Sequence, residues 1–283
     1  MEIAVVAIAK NENDYINEWC HHYINLGFTH IYLYDNNDKE TPFVGDFIDQ
    51  ELMSKITIID YRGLGYRLLQ QFCYRDCYYR HKFDWLLFCD IDEFLVGIDN
   101  IQEFLSQEKF NDFDQIKIQW QLFDDNDLIE RDIKIPVVQA FTRLADYNIY
   151  HYRLMSKSII RGGITGVMWS SVHVASLWGS KGLKNCLPSG KACNEAGLLD
   201  DHIKPFDDYS EETVFINHYI TKTLKEFLDN KYLTQDPCFI GRTRTLNYFW
   251  KHNKRTPEKE AYIEKYLKEH NLKRVNINAT FNT

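Results

Sequence analysis

The sequence predicts an α/β fold on a mostly parallel central sheet, with an α+β second half and a helical C-terminal tail. Three observations predict it. Short apolar runs rich in β-branched residues recur through the first third of the chain, helix-compatible stretches separate them, and most stop at Asp, Asn or Glu. Strands buried on both faces read as continuous apolar runs, and strand–helix–strand alternation implies right-handed crossovers onto a parallel sheet.

Residues 3–9 (IAVVAIA) are short enough and sufficiently β-branched to form a central strand. Asn11 and Asn13 suit a loop and a helix N-cap. Ile16, Trp19, Cys20, Tyr23 and Ile24 follow at helical spacing, and Gly27 stands where a C-terminal cap belongs. Residues 30–34 alternate into a second strand that ends at Asp35-Asn36-Asn37-Asp38, and residues 56–60 supply a third. A helical stretch over 66–81 leads into residues 85–89, a fourth buried strand that stops at Asp90. After Phe94 the pattern changes. Residues 115–121 read as a strand, 137–143 as a further segment, and 150–160 as an antiparallel strand alternating through Tyr152, Leu154 and Ser156. Residues 176–210 carry Gly179, Gly182, Pro188, Gly190, Gly197 and Pro205 with little periodicity and read as a long loop. From Leu224 onward the chain is helical and basic.

With 283 residues, 45% hydrophobic and 26% charged, the chain has material for a sizeable core, which excludes disorder and a small disulfide scaffold. Residues 1–220 hold 20 Lys and Arg against 34 Asp and Glu, net -14, whereas residues 221–283 hold 13 against 7, net +6. An acidic body argues against nucleic acid as a partner, since backbone binding needs a positive footprint, and it suits capture of a divalent cation. No run of 18 apolar residues occurs and the N-terminus lacks a basic region before its apolar stretch, so a cytoplasmic protein without a membrane span or secretory signal is expected. Seven cysteines, odd in number and without a C-x-x-C spacing, point to reduced thiols.

The sharpest chemical feature is Leu86-Leu87-Phe88-Cys89-Asp90-Ile91-Asp92-Glu93-Phe94, an apolar strand ending in D-x-D-E. Ligands of open α/β sheets bind beyond the carboxyl ends of strands. Three acids within four residues repel one another unless a cation compensates, and hard oxygen ligands select Mg2+ or Mn2+, ions that bridge carboxylates to a substrate diphosphate. The plain alternative is a turn with solvated charges. Lys10-Asn11-Glu12 and Asp35-Asn36-Asn37-Asp38 end two further strands at the same edge and suit the uracil and ribose of a nucleotide, although Asn and Asp are also what loops and caps prefer. No G-x-G-x-x-G and no P-loop is present, so phosphate capture falls to the metal.

I-A-K-N-E-N near the N-terminus, a helix ending N-L-G-F, then H-I-Y-L-Y-D-N-N-D and W-L-L-F-C-D-I-D-E-F-L together resemble glycosyltransferases of family 92 and their family-2-like bacterial relatives, which have a GT-A fold. The likeness is dense over residues 1–97 and returns at 157–161 and 216–219. It departs where relatives carry Trp-x-x-Phe-Gly: here Trp120-Gln121-Leu122-Phe123 runs into Asp124-Asp125. The resemblance implies a GT-A domain over 1–220, with a nucleotide-binding half at 1–97 and an acceptor half at 98–220, followed by a basic helical extension at 221–283. It implies Asp92 as a direct metal ligand, Asp90 on the ribose or on the metal through water, His218 as a further metal ligand, and Lys10, Asn11, Glu12 and Asp35 along the donor edge. Lys157, Arg161 and Lys222 are candidates to neutralise the diphosphate.

Transfer by inversion, which the resemblance favours, needs a carboxylate to deprotonate the acceptor hydroxyl. Asp124 and Asp125, with Asp127 behind them, are the candidates by chain order. Trp120 and Trp169 suit sugar stacking and His173 suits acceptor binding, with a core role open to each. The expected reaction moves a sugar from a nucleotide donor, UDP-linked, with Mn2+ or Mg2+, to a glycan or lipid-linked glycan in polysaccharide biosynthesis. The basic tail suits peripheral contact with anionic lipid, against the simpler reading of a helix that closes the fold. Two rival functions stay open: a sugar-phosphate nucleotidyltransferase, which would want a glycine-rich basic loop after the first strand, and a glycan-binding module without catalysis.

Overall fold

The computed structural model describes residues 1–65, 68–146, 155–179, 182–194, 212–234 and 243–275. The chain divides into two compact units, residues 1–121 with 149–218 and residues 122–148 with 219–283, so that the segment around Asp124 groups with the C-terminal helices.

The first unit is built on a mixed α/β sheet whose parallel centre is the one the sequence predicts. Strands β1 (Ile3–Ala9), β2 (His30–Asp35) and β3 (Ile56–Asp60) run parallel, with Ala9, Asp35 and Asp60 level in register. Helix α1 (Asn13–Asn25) connects the first two. Its apolar stripe of Ile16, Trp19, Cys20 and Tyr23 is buried, and Gly27, at φ 96°, closes it: the Gly27 and Phe28 amides donate to the carbonyls of Ile24 and Tyr23 at 3.1 Å. Helix α2 (Leu69–Arg80) precedes β4 (Trp85–Phe88), which pairs parallel with β1 on its other side. The predicted start of that helix, residues 66–67, lies outside the described residues.

Beyond β4 the chain adds antiparallel strands. β5 (Glu93–Val96) follows the D-x-D turn, a short helix α3 (Ile101–Leu105) intervenes, and β6 (Gln115–Leu122) comes next. The predicted segment at 137–143 contains α4 (Val137–Ala140). β7 (Ser156–Arg161) lies antiparallel between β4 and β6, as its alternation predicts, although residues 147–154 are outside the described set. A hairpin of β8 (Val167–Trp169) and β9 (Ala175–Leu177) follows. The region predicted as loop at 176–210 holds two minimal strands, β10 (Asn185–Cys186) and β11 (Ala192–Cys193), too short to leave a periodic trace; 195–211 lies outside the described residues. β12 (Phe215–His218) returns antiparallel to β5. The strand order is β11-β10-β6-β7-β4-β1-β2-β3, with β12 pairing β5 and β6. One core face joins Val6, Tyr34, Tyr74, Phe88, Ile160 and Trp169 beneath α2 and the hairpin.

In the second unit, α5 (Leu224–Asn230), α6 (Leu246–Trp250) and α7 (Pro257–Glu269) bury Leu224, Phe227, Phe249, Ile263 and Leu267 in one cluster. α5 begins with a capping box of Thr223 and Glu226, and α7 with Thr256 at its N-cap and Pro257 at its first position. No described helix is long and apolar enough to cross a membrane, and the six described cysteines are unpaired; Cys238 lies outside the described residues.

Candidate active site

The D-x-D turn is held from three sides. The Glu93 amide donates to the Asp90 carbonyl at 3.1 Å and the Asp90 amide donates to Glu93 Oε2 at 2.9 Å, which closes the turn on itself. From α1, Trp19 Nε1 donates to the carbonyls of Asp90 and Glu93 at 3.0 and 3.1 Å, and the Tyr23 hydroxyl donates to the Glu93 carbonyl. From α2, Gln70 and Tyr74, one helical turn apart, both donate to Asp90 Oδ1, Tyr74 at 3.3 Å. From β7, the wholly buried Lys157 donates to Asp90 Oδ2 at 3.1 Å, stands 3.5 Å from Glu93 Oε2 and donates to the Val172 carbonyl at 3.3 Å.

The electrostatics follow from that burial. Desolvation pushes the Asp90 carboxyl up, but the Lys157 charge and hydrogen bond outweigh it and hold Asp90 below the usual carboxylate range. For Glu93, desolvation wins over the same lysine, and its pKa lies well above the usual range. Desolvation works to lower Lys157, and the Asp90 and Glu93 charges overcome it, so the ammonium is retained.

Asp92 lies beside a histidine. The register of β5 and β12 sets His218 opposite Glu93, and places His218 Nε2 3.4 Å from Asp92 Oδ1 and Nδ1 3.9 Å from Glu93 Oε1. The Trp120 ring stands at steep angles to the rings of His218 and His173, 4.3 and 4.9 Å away between centroids. Its indole N–H is buried without a hydrogen bond. Burial, then the nearby Lys157 charge, pushes the His173 pKa down to about 3, so this ring is neutral. Among the described residues no three His, Cys, Asp or Glu side chains form a ready metal cage. The Asp92–His218 pair nonetheless suits a divalent cation. Two adjacent ligands of an octahedral ion with bonds near 2.1 Å stand about 3 Å apart, Mn2+ and Mg2+ take few protein ligands and complete their shells with substrate phosphates and water, and an imidazole nitrogen beside a carboxylate oxygen favours Mn2+ over Mg2+.

The structure thus brings Asp90, Asp92, His218, Lys157, Trp120 and His173 together, with Glu93, Gln70, Tyr74 and Trp19 as supports. Gln70, Tyr74 and Trp19 carry no sequence signal beyond helical spacing, since the atoms they reach lie 15 to 74 residues away. The donor-edge residues take turn-forming positions at the level strand ends. Lys10 pairs with Asp38 at 2.9 Å, Asn11 adopts φ 58° and its amide donates to Asn37 Oδ1, and Glu12 occupies the N-cap position of α1. Asp35 is buried and accepts from the amides of Asn37 and Val44 at 3.0 Å. Two residues stand apart. Arg161 pairs with Trp85 at the opposite end of β4 from Asp90, and its guanidinium donates to the carbonyls of Phe113 and Phe110 while lying 4.1 Å over the Trp85 ring. Trp169 packs in the core against Phe88 and Tyr78 at 5.4 and 5.7 Å.

Asp124, Asp125 and Lys222 belong to the second unit. Asp124 pairs with Arg143 at 2.6 Å, a guanidinium whose side chain is 37% exposed, and Asp125 is sealed against the buried Lys259 at 2.6 Å. Lys222 is buried, with φ 56°.

Comparison with curated proteins gives no match. Among solved structures, the mannosyltransferase PcManGT from Pyrobaculum calidifontis, in complex with GDP-Man and Mn2+, is similar with a TM-score of 0.31 and 9% identity over 41% of this chain and 35% of that one. TarS residues 1–349 from S. aureus, in complex with UDP-GlcNAc, gives 0.32 and 14% over 57% and 45%. A putative glucose-1-phosphate thymidylyltransferase from Bacillus anthracis, in complex with a sucrose, gives 0.33 and 9% over 56% and 71%. The match spans less than half the length of the first two solved chains. The sequence itself matches Glycosyltransferase family 92 over residues 4–272, nearly the whole chain, and the protein belongs to that family.

Proposed function

We propose that this protein is a cytoplasmic, divalent-cation-dependent glycosyltransferase that moves a sugar from a UDP-linked donor to a glycan or lipid-linked glycan hydroxyl, with inversion, in polysaccharide biosynthesis. The observation that carries this reading is the Asp92–His218 pair at 3.4 Å, set at the carboxyl end of a parallel strand beside an Asp90 already held by protein donors. Asp92 and His218 hold the cation, Mn2+ in preference to Mg2+. When bound, the cation supplies Lewis-acid compensation for the negative charge of the departing diphosphate.

The remaining parts fall to this chain's own groups. Lys10, Asn11, Glu12 and Asp35 shape the edge that takes the nucleoside. Trp120 offers its unmet N–H to a sugar hydroxyl beside the neutral His173. For the base we assign Asp124 over Asp125, because Asp124's partner Arg143 reaches solvent whereas both members of the Asp125–Lys259 pair are sealed.

A panel of nucleotide sugars, assayed for hydrolysis and for transfer to oligosaccharide acceptors with and without Mn2+, tests the reading. UDP-sugar turnover that requires Mn2+ is expected, with Asp124→Asn keeping donor binding and losing at least about 100-fold in transfer. Turnover of no nucleotide sugar with metal present defeats the proposal.

A further inference from the structure

Lys157 is a cation with no exposed surface, and it sits between two acids of the D-x-D-E turn. Its ammonium lies 3.1 Å from Asp90 Oδ2 and 3.5 Å from Glu93 Oε2, while the Val172 carbonyl takes a further hydrogen bond at 3.3 Å. With Gln70 and Tyr74 on Oδ1, both oxygens of Asp90 are engaged by protein donors. Glu93 Oε2 is likewise taken by the Asp90 amide. Asp92 Oδ1 stands 3.4 Å from His218 Nε2, and His218 Nδ1 lies 3.9 Å from Glu93 Oε1; the hydrogen bonds to Asp90 named above come from Lys157, Gln70 and Tyr74. A fully buried lysine cannot also be a mobile hand for a diphosphate without breaking those contacts, and its removal would leave the half-buried Asp90 and the buried Glu93 without their cationic partner.

We propose that Lys157 is a built-in counter-ion, a positioning residue that engages Asp90 and Glu93 and so confines divalent metal to Asp92 with His218. The inference rests on the metal-dependent reading above and deepens it: Asp90 and Glu93 Oε2 are engaged by donors of this chain, and the cation is held by Asp92 with His218. The site therefore takes a single cation.

Titration of Mn2+ into the full chain, followed by the electron paramagnetic resonance signal of free Mn2+, reads stoichiometry and affinity without any turnover. The wild-type protein is expected to bind one Mn2+ per chain, and Asp92→Asn to weaken it at least about 10-fold. Lys157→Met, which keeps length and removes charge, is expected to bind a second Mn2+ or to bind the first at least about 10-fold more tightly, because Asp90 and Glu93 are released to the metal. Lys157→Arg should restore wild-type stoichiometry. Should Lys157→Met fail to fold, the double variant Asp90→Asn with Lys157→Met removes the pair together and is expected to keep one Mn2+ within about 3-fold of wild-type affinity. Wild-type stoichiometry and affinity in Lys157→Met, or loss of Mn2+ in the double variant, overturns the proposal. Absence of Mn2+ binding by the wild-type protein instead removes the metal-dependent reading beneath it.

Discussion

Asp90 accepts hydrogen bonds from Lys157, Tyr74 and Gln70, whereas Asp92 faces His218, so substitutions two residues apart should differ in kind. Asp90→Asn should cost about 1–3 kcal/mol of stability, the penalty for weakening the partner of a buried charged donor, measurable by urea denaturation. Asp125→Ala should cost more, about 3–5 kcal/mol, because it removes the 2.6 Å carboxylate partner of Lys259, whose side chain is 1% exposed, and leaves it Asp127 at 3.5 Å and the Lys254 carbonyl at 3.0 Å. An unchanged denaturation midpoint for Asp125→Ala would mean the pair is not a structural staple. The D-x-D acids were legible because strand-ending carboxylates are a local pattern. The lysine was legible only as a charge: Ser156-Lys157-Ser158-Ile159-Ile160-Arg161 alternates in a way that does not say the lysine side is buried too.

β5 and β12 place His218 opposite Glu93, and their pairing depends on a glycine. Gly97 ends β5 at φ 88°, and a Cβ there would lie 1.9 Å from the Thr213 carbonyl oxygen, so no side chain fits without moving the strand that carries His218. Gly97→Ala should therefore destabilise by at least about 1–3 kcal/mol and raise hydrogen exchange at 214–218. Exchange confined to wild-type rates would show the register does not need the glycine. The first four strands were readable as apolar runs with polar ends, and Gly27 as a cap. β5 was not, since it opens on Glu93 directly after two aspartates and resembles the continuation of a turn. β10 and β11, two residues each, are made by pairing rather than by any sequence period.

At the scale of the whole molecule, charge follows the two units. Residues 1–121 with 149–218 hold 28 acids against 17 bases, net -11, so the unit with the D-x-D turn carries the acidic excess. The described part of the basic tail at 243–275 is tied down. Ile263, Tyr266 and Leu267 of α7 are buried against α5 and α6, and Arg274, Arg255 and Lys259 each pair with an acid of the same unit. With Ile263, Tyr266 and Leu267 used internally, α7 helps to close the second unit's core. Removing 251–283 should uncover Leu224, Phe227 and Phe249, each worth about 1.5–3 kcal/mol of burial, and calorimetry should lose the second unit's contribution to unfolding; a truncated chain with undiminished unfolding enthalpy would refute that. Binding of UDP by isothermal titration, with Mn2+ and with chelator, in the wild-type chain and in Asp92→Asn, tests the central claim most directly. At least about 10-fold tighter binding with Mn2+, abolished in the variant, is the predicted result; equal affinity with and without Mn2+, or a metal effect that survives in Asp92→Asn, would contradict it.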